Sequence, residues 1–274
     1  MRFSFVMKRF TIILACTLLV CMSLLLCACL PNADNRDRHI NSVNHRGYRD
    51  APENTLAAFR MSKEKGFDMV ECDVRFTKDN QAVLLHDATI NRTSNGRGNV
   101  ADLTLEEVRQ FDFGSWKSKS YAGETIPTFE EFVDLCVELS LHPYVEVKGA
   151  TLEQTQALAD IINQANLAVT WISYNKDVLN WLVDLRSQDR FGLLMNNITD
   201  YGLQLLKDWS QKADVFMDAN YVFVTSKQIK RCKKYGIPLE VWTVNNESVV
   251  KSLDEYVSGV TSDHLNAQEI FNNM

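Results

Sequence analysis

Short apolar runs alternate with longer amphipathic stretches along most of the chain. Runs at 42–45, 69–74, 82–85, 143–147, 169–172, 191–195, 215–217, 239–243 and 259–261 have the length and character of strands. Between them, 55–65, 103–111, 128–139, 152–165, 226–235 and 247–256 carry the spacing of amphipathic helices. Phe129, Phe132, Val133 and Leu135, near helical spacing, illustrate it. The 91–99 stretch is irregular, with Gly96 and Gly98 as turn signals. Strand and helix steps in this order predict a TIM-type (β/α)8 barrel. A doubly wound open sheet is the alternative, but no Gly-x-Gly-x-x-Gly run or P-loop follows any strand.

The pattern breaks at the N-terminus. Arg2, Lys8 and Arg9 precede a nearly unbroken apolar run over 10–26, the arrangement of an export signal. The run exits through Leu26-Cys27-Ala28-Cys29, which is similar to a bacterial lipoprotein box with Cys29 as the lipid-bearing residue. An uncleaved transmembrane anchor is the other reading of this leader. Both place the rest of the chain outside the cytoplasm, held at a membrane or the cell surface. The expected organisation is therefore a leader over 1–29, a polar tether over 30–40 and one domain over 41–274.

Bulk properties then narrow the chemistry. A net charge of −6 argues against a nucleic-acid partner. Of seven cysteines, Cys16, Cys21, Cys27 and Cys29 lie in the leader. Cys72, Cys136 and Cys232 remain, without zinc spacing; Cys136 and Cys232 read as buried thiols.

Strand alternation gives the polar residues a direction. Residues two apart share a face, so Glu71 and Asp73 point one way while Val70, Cys72 and Val74 point the other. Glu146 and Lys148 likewise share a face opposite Val145 and Val147. In a barrel these polar faces meet at the C-terminal ends of the strands. Glu71, Asp73 and Glu146 then form an all-oxygen site suited to Ca²⁺ or Mg²⁺, because buried carboxylates without a cation repel one another. His45 and His86 follow strand-like runs and are the acid–base candidates, since two imidazoles can take and give protons near neutral pH. Arg46 and Lys148 are placed to hold phosphoryl oxygens. Glu53 has two readings, a carboxylate at a helix N-terminus or one that orients the metal and phosphate groups. Asn54 is expected to cap the helix beginning near Thr55. Trp242 would wall a pocket against glycerol carbons or pack in the core, and Phe113, Trp116 and Tyr221 are further lining candidates.

The chain resembles the glycerophosphodiester phosphodiesterases. The resemblance rests on His45-Arg46-Gly47, Pro52-Glu53-Asn54-Thr55, Glu71-Cys72-Asp73-Val74, His86-Asp87, Gly114-Ser115-Trp116, Ile126-Pro127-Thr128, Glu146-Val147-Lys148 and Val241-Trp242-Thr243-Val244-Asn245, in that order. It implies a barrel with a small insertion around 87–125 after the second strand region. It implies a divalent cation at Glu71, Asp73 and Glu146, His45 and His86 as the general acid–base pair, and Arg46 near the phosphate. The implied products are glycerol 3-phosphate and an alcohol. The departure lies at the last strand, where members commonly carry Thr-Asp, an aromatic and Pro; here the run is Thr261-Ser262-Asp263-His264-Leu265-Asn266. Neighbouring expectations are a phosphoinositide-type phospholipase releasing a cyclic phosphate and a lysophospholipase D. A non-catalytic barrel lipoprotein is the expectation from a different class.

Overall fold

A computed structural model of the protein describes residues 38–274. Cys29 and the rest of the leader lie outside the described residues. By packing, the described residues fall into two units. One spans His39–Ile270; the other comprises Arg38 and Phe271–Met274, with the Arg38 guanidinium 4.6 Å from the Phe271 ring centroid.

The large unit is built from strands β1 (Asn41–His45), β2 (Met69–Phe76), β3 (Ala82–Leu84), β4 (His142–Val147), β5 (Thr170–Ser173), β6 (Arg190–Met195), β7 (Asp214–Asn220), β8 (Leu239–Trp242) and β9 (Val257–Ser262). All but β3 pair in parallel, and β1 pairs with both β2 and β9. That double pairing closes eight parallel strands into a barrel. β3 folds back antiparallel on β2, with Val74 opposite Leu84. It is a hairpin arm rather than a stave, so the 82–85 run is a strand outside the barrel wall.

The crossovers contain helices α1 (Leu56–Glu64), α2 (Leu105–Val108), α3 (Phe129–Leu139), α4 (Leu152–Ala165), α5 (Lys176–Leu185), α6 (Asp200–Trp209), α7 (Ser226–Tyr235) and α8 (Glu247–Lys251); α9 (Ala267–Asn272) follows β9. Their starts follow local chemistry. Thr128 and Thr151 accept from the backbone N–H three residues on, and Glu131 and Gln154 return a bond to the cap residue. Two expected helices are shorter. The 103–111 stretch supplies only α2, preceded by a 3₁₀ turn at Val100–Asp102, and the 247–256 stretch stops at Lys251.

Inside the barrel, Val43, Tyr144, Ile172, Leu194 and Phe216 pack together, with Met69 and Trp242 against them. Gly192 admits the Phe216 ring, since a Cβ there would overlap it; Gly259 does the same for the Glu240 carboxylate. Val70, Cys72, Val145 and Val147 are buried on the opposite faces of their strands. Cys136 and Cys232 are buried thiols as expected. The segment between β3 and α3 has its own apolar base, where Ile90, Val100, Val108, Phe113 and Ile126 pack under Val83 and Leu85. Among the described residues no helix is long and apolar enough to cross a membrane.

Candidate active site

At the C-terminal end of β1 the chain turns through two left-handed residues, Arg46 (φ 56°) and Gly47 (φ 80°). For Arg46 this conformation costs about 1–3 kcal/mol. The turn aims its backbone N–H at Glu71 Oε2, 2.9 Å away. Gly47 is required twice over: a Cβ would sit in the left-handed region and 2.5 Å from the Ala58 Cβ of α1.

Glu71, Asp73 and Glu146 are buried and each offers an oxygen within 4.8 Å of the others. Lys148 Nζ lies 2.8 Å from Asp73 Oδ1 and 2.6 Å from Glu146 Oε2. Arg46 Nε lies 3.2 Å from Asp73 Oδ2. Asn54 does not cap α1; Thr55 does. The left-handed turn at Asn54 (φ 56°) instead sends its amide to Asp73, donating to Oδ2 (2.8 Å) and accepting from the Asp73 N–H (3.1 Å).

These surroundings split the three acids. Burial would raise the Asp73 carboxyl, but Lys148, Arg46 and His86 outweigh it and hold Asp73 well below the ordinary range. Burial, then Asp73 and Glu146, push Glu71 well above it. Burial and Asp73 push Glu146 up to about 7. Asp73 Oδ1, although ion-paired, accepts no well-formed hydrogen bond. Three clustered acids, two of them reluctant to ionise without compensation, are the donor set a hard divalent cation satisfies. The residues present therefore fit a hard divalent cation.

His45 ends β1 and its Nδ1 is 2.7 Å from Asp263 Oδ1. Asn245 steadies that carboxylate, donating to Oδ2 (2.5 Å) and accepting from the Asp263 N–H. His86 lies two residues beyond the end of β3, so the hairpin rather than a barrel strand delivers it. Its Nδ1 is 2.8 Å from Asp87 Oδ1. Arg75 Nε and Nη2 both donate to the His86 carbonyl and fix its backbone. Burial lowers the His86 pKa, against Asp73 and Asp87, which raise it.

Glu53 settles between its two readings as a bridge. Its carboxylate accepts from Arg46 Nη1 (2.9 Å) and from Arg92 Nη1 and Nη2 (2.6 and 2.9 Å). Arg92 Nε also donates to Asp87 Oδ2 at 2.8 Å. Asp87, Arg92, Glu53 and Arg46 thus connect His86 to the acidic cluster.

One cavity of about 110 Å³ joins these groups. His45, Arg46, Glu71, His86, Glu146 and Lys148 line it, with Trp242 among the residues of its wall. A second, of about 340 Å³, lies on the other side of His45 and Arg46 and includes Glu53, Trp116 and Asp263. Phe113 belongs to the small core below, and Tyr221, on the turn after β7, lines neither cavity. Sequence reasoning missed Asp263, Arg75, Arg92 and Asn245. Two of them left a signal: Asn245 closes the Val241-Trp242-Thr243-Val244-Asn245 run, and Asp263 is an acid after the last strand, which barrel closure sets beside the first.

The chain is similar to known proteins in sequence and in fold. Residues 45–267 match the Glycerophosphoryl diester phosphodiesterase family. A glycerophosphodiester phosphodiesterase of Caldanaerobacter subterraneus subsp. tengcongensis is 31% identical over 231 residues, covering 81% of this chain and 93% of that protein. Glycerophosphodiester phosphodiesterase 1 of Bos taurus is 30% identical over 247 residues, covering 77% and 73%. The structure of an Oleispira antarctica phosphodiesterase in complex with the product sn-glycerol-3-phosphate superposes with a TM-score of 0.77 at 27% identity, covering 84% of this chain and 94% of that one.

Proposed function

Because this chain belongs to the glycerophosphoryl diester phosphodiesterase family, we propose that it hydrolyses glycerophosphodiesters to glycerol 3-phosphate and an alcohol by two-histidine acid–base catalysis at a divalent cation. The observation that carries this reading is that both imidazoles, each held at Nδ1 by a carboxylate, line one cavity with Glu71 and Glu146 of the acidic trio. A carboxylate at Nδ1 favours the tautomer with its proton there and makes Nε2 the nitrogen that exchanges protons with substrate. One imidazole takes the proton of the attacking hydroxyl, which belongs to water or to a neighbouring glycerol carbon. The other gives a proton to the departing alkoxide. Arg46 and Lys148 hold phosphoryl oxygens, and Glu53 keeps the Arg46 fork oriented. Held by Glu71, Asp73 and Glu146, Ca²⁺ or Mg²⁺ would supply electrostatic stabilisation of the phosphoryl charge.

The test is release of glycerol 3-phosphate from glycerophosphocholine. Chelator should abolish it and added Ca²⁺ or Mg²⁺ restore it; turnover indifferent to chelator overturns the cation's role. Phosphorus NMR of the products separates this reading from a phospholipase that stops at the cyclic phosphate.

We also infer from the basic, apolar and Cys29-containing leader that the catalytic domain works outside the cytoplasm, tethered to a membrane. Radiolabelled palmitate should mark the full chain and not its Cys29→Ala variant. Equal labelling of the two would remove Cys29 as the anchor.

A further inference from the structure

Large apolar side chains stand exposed on four successive loops at the barrel mouth. Leu152 follows β4, Tyr174 follows β5, Tyr201 follows β6, and Val222 and Phe223 follow β7; each is 45–65% exposed. β4, β5, β6 and β7 are neighbours in the sheet, so these loops form one arc of the rim. Tyr174 joins the arc to the catalytic cavity, which it lines, and meets the Trp242 ring edge-on at 6.2 Å. Exposed apolar side chains grouped in this way mark an interaction surface, whereas scattered ones need no explanation.

The charge beside this arc is one-sided. Helix α7 begins just beyond Phe223 and carries Lys227, Lys230, Arg231, Lys233 and Lys234 with no carboxylate, in a chain whose net charge is −6. Lys227 stands in the first turn, where the helix dipole disfavours a cation, and no acid accompanies it there. Arg231 pairs with Asp200 (2.7 Å), Lys233 with Asp254 (3.3 Å) and Lys176 with Asp177 (2.5 Å). Among the described residues no acid lies within ion-pair distance of Lys227, Lys230 or Lys234. Spaced i, i+3 and i+7, these three share one face of the helix. The remaining acid of the arc, Glu153, lies at the opposite end, beside Leu152. The β7 end of the arc therefore combines apolar tips with uncompensated positive charge.

A second copy of this chain answers the apolar tips poorly, because a two-fold interface would bring these lysines against the same lysines. A bilayer with anionic headgroups answers both features. Aromatic and aliphatic side chains settle at its interface, and lysines near its surface are drawn to the anionic lipid. It also demands no fixed shape from side chains on separate loops. We propose that the β5–β7 side of the barrel mouth and the first turns of α7 form a docking face for an anionic lipid bilayer, with Tyr201, Val222 and Phe223 at the interface and Lys227 and Lys230 on the headgroups. Docking there would set the cavity, through Tyr174, at the level of the lipid headgroups. The leader, read as a tether, leaves the direction of the domain open; this face would fix it. The proposal goes beyond the reaction proposed above and does not depend on it.

The test follows backbone hydrogen exchange by mass spectrometry in the full-length chain reconstituted in phosphatidylcholine vesicles, with and without phosphatidylglycerol. Amides over 199–202 and 221–230 should be protected on the anionic vesicles and not on the neutral ones, and salt should weaken that protection. Lys227→Gln with Lys230→Gln should lower it by about tenfold or more, the worth of two lysines at an anionic surface. Val222→Asp with Phe223→Ser should remove it. All four positions are exposed, and unchanged exchange over 215–217 of β7 verifies that each variant is folded. Equal protection on both kinds of vesicle overturns the proposal, as does protection on neither or protection that the variants leave unchanged. Protection that follows protein concentration rather than lipid would give the face to a second copy and likewise overturn it. No turnover is measured, so failure here leaves the proposed reaction untouched.

Discussion

Both ends of the barrel interior are polar, and they are built on opposite principles. At the N-terminal end one carboxylate, Glu240, is met by Arg190 (2.6 Å), Asn41 (2.8 Å) and the Tyr144 hydroxyl (3.4 Å). The Arg190 guanidinium also lies 4.0 Å from the Phe216 ring centroid and 3.3 Å from Asp214. At the C-terminal end three carboxyls crowd two cations, and Glu71 and Glu146 are driven toward their protonated forms. The first network answers its charges from within the protein; the second leaves acidity for a ligand to answer. Residue type alone would not separate them. The completeness of the partners does, and it marks the upper cluster as the place where something binds.

The contrast is broken most severely by removing an upper imidazole. His45→Ala and His86→Ala should each lower kcat by about 10²–10⁴-fold, the worth of a positioned acid or base. Melting temperatures should stay near that of the wild type. Retained turnover in either variant would remove that histidine from the reaction.

The lower network should respond in the opposite currency. Glu240→Ala strands Arg190 and should cost stability near the lower end of about 3–5 kcal/mol, since Arg190 keeps Asp214 as a partner. Replacing the pair together, Glu240→Leu with Arg190→Met, should restore much of that loss in urea melts. Additive losses would show that the two residues do not act as a pair.

Asp263→Asn probes the upper network more gently. Because Asp263 acts through His45, the variant should lower kcat by roughly tenfold and shift the pH–rate profile. A fall in activity with an unmoved profile would give Asp263 a structural role only.

The smallest effect is a few degrees of melting temperature. Glu146 and Glu71 hold protons more tightly folded than unfolded. Their contribution to stability is full below the ordinary value of 4.5; the Glu146 share is lost as pH rises through about 7, and the Glu71 share as pH rises through its own raised value. A cation must displace those protons. Stabilisation by Ca²⁺ or Mg²⁺ should therefore be slight at pH 5 and grow toward pH 8. An increment independent of pH would place the cation elsewhere.

Much of this was legible in the sequence. Alternation along 69–74 and 143–147 is enough to aim Glu71, Asp73, Glu146 and Lys148 at one end of a barrel, because the opposite faces are uniformly apolar. What alternation cannot supply is the partner across a closure. The His45–Asp263 pair spans 218 positions and exists only because β1 and β9 lie side by side. Asn54 misled for a local reason. Its residue type suits a helix cap, but the left-handed turn carries its side chain to Asp73, and Thr55 next to it takes the cap. The hairpin behind His86 was hidden because a short apolar run looks alike in a barrel strand and in an arm folded back upon one.

The link from Asp87 through Arg92 and Glu53 to Arg46 has a consequence for mutational tolerance. Arg92 sits on a loop with 44% of its side chain open to solvent, the sort of position where exchange is normally harmless. Yet its guanidinium bridges the carboxylate on His86 and the one on Arg46. A scan ranked by solvent exposure would class Arg92 as permissive; in a library selected for turnover it should be depleted alongside the buried acids.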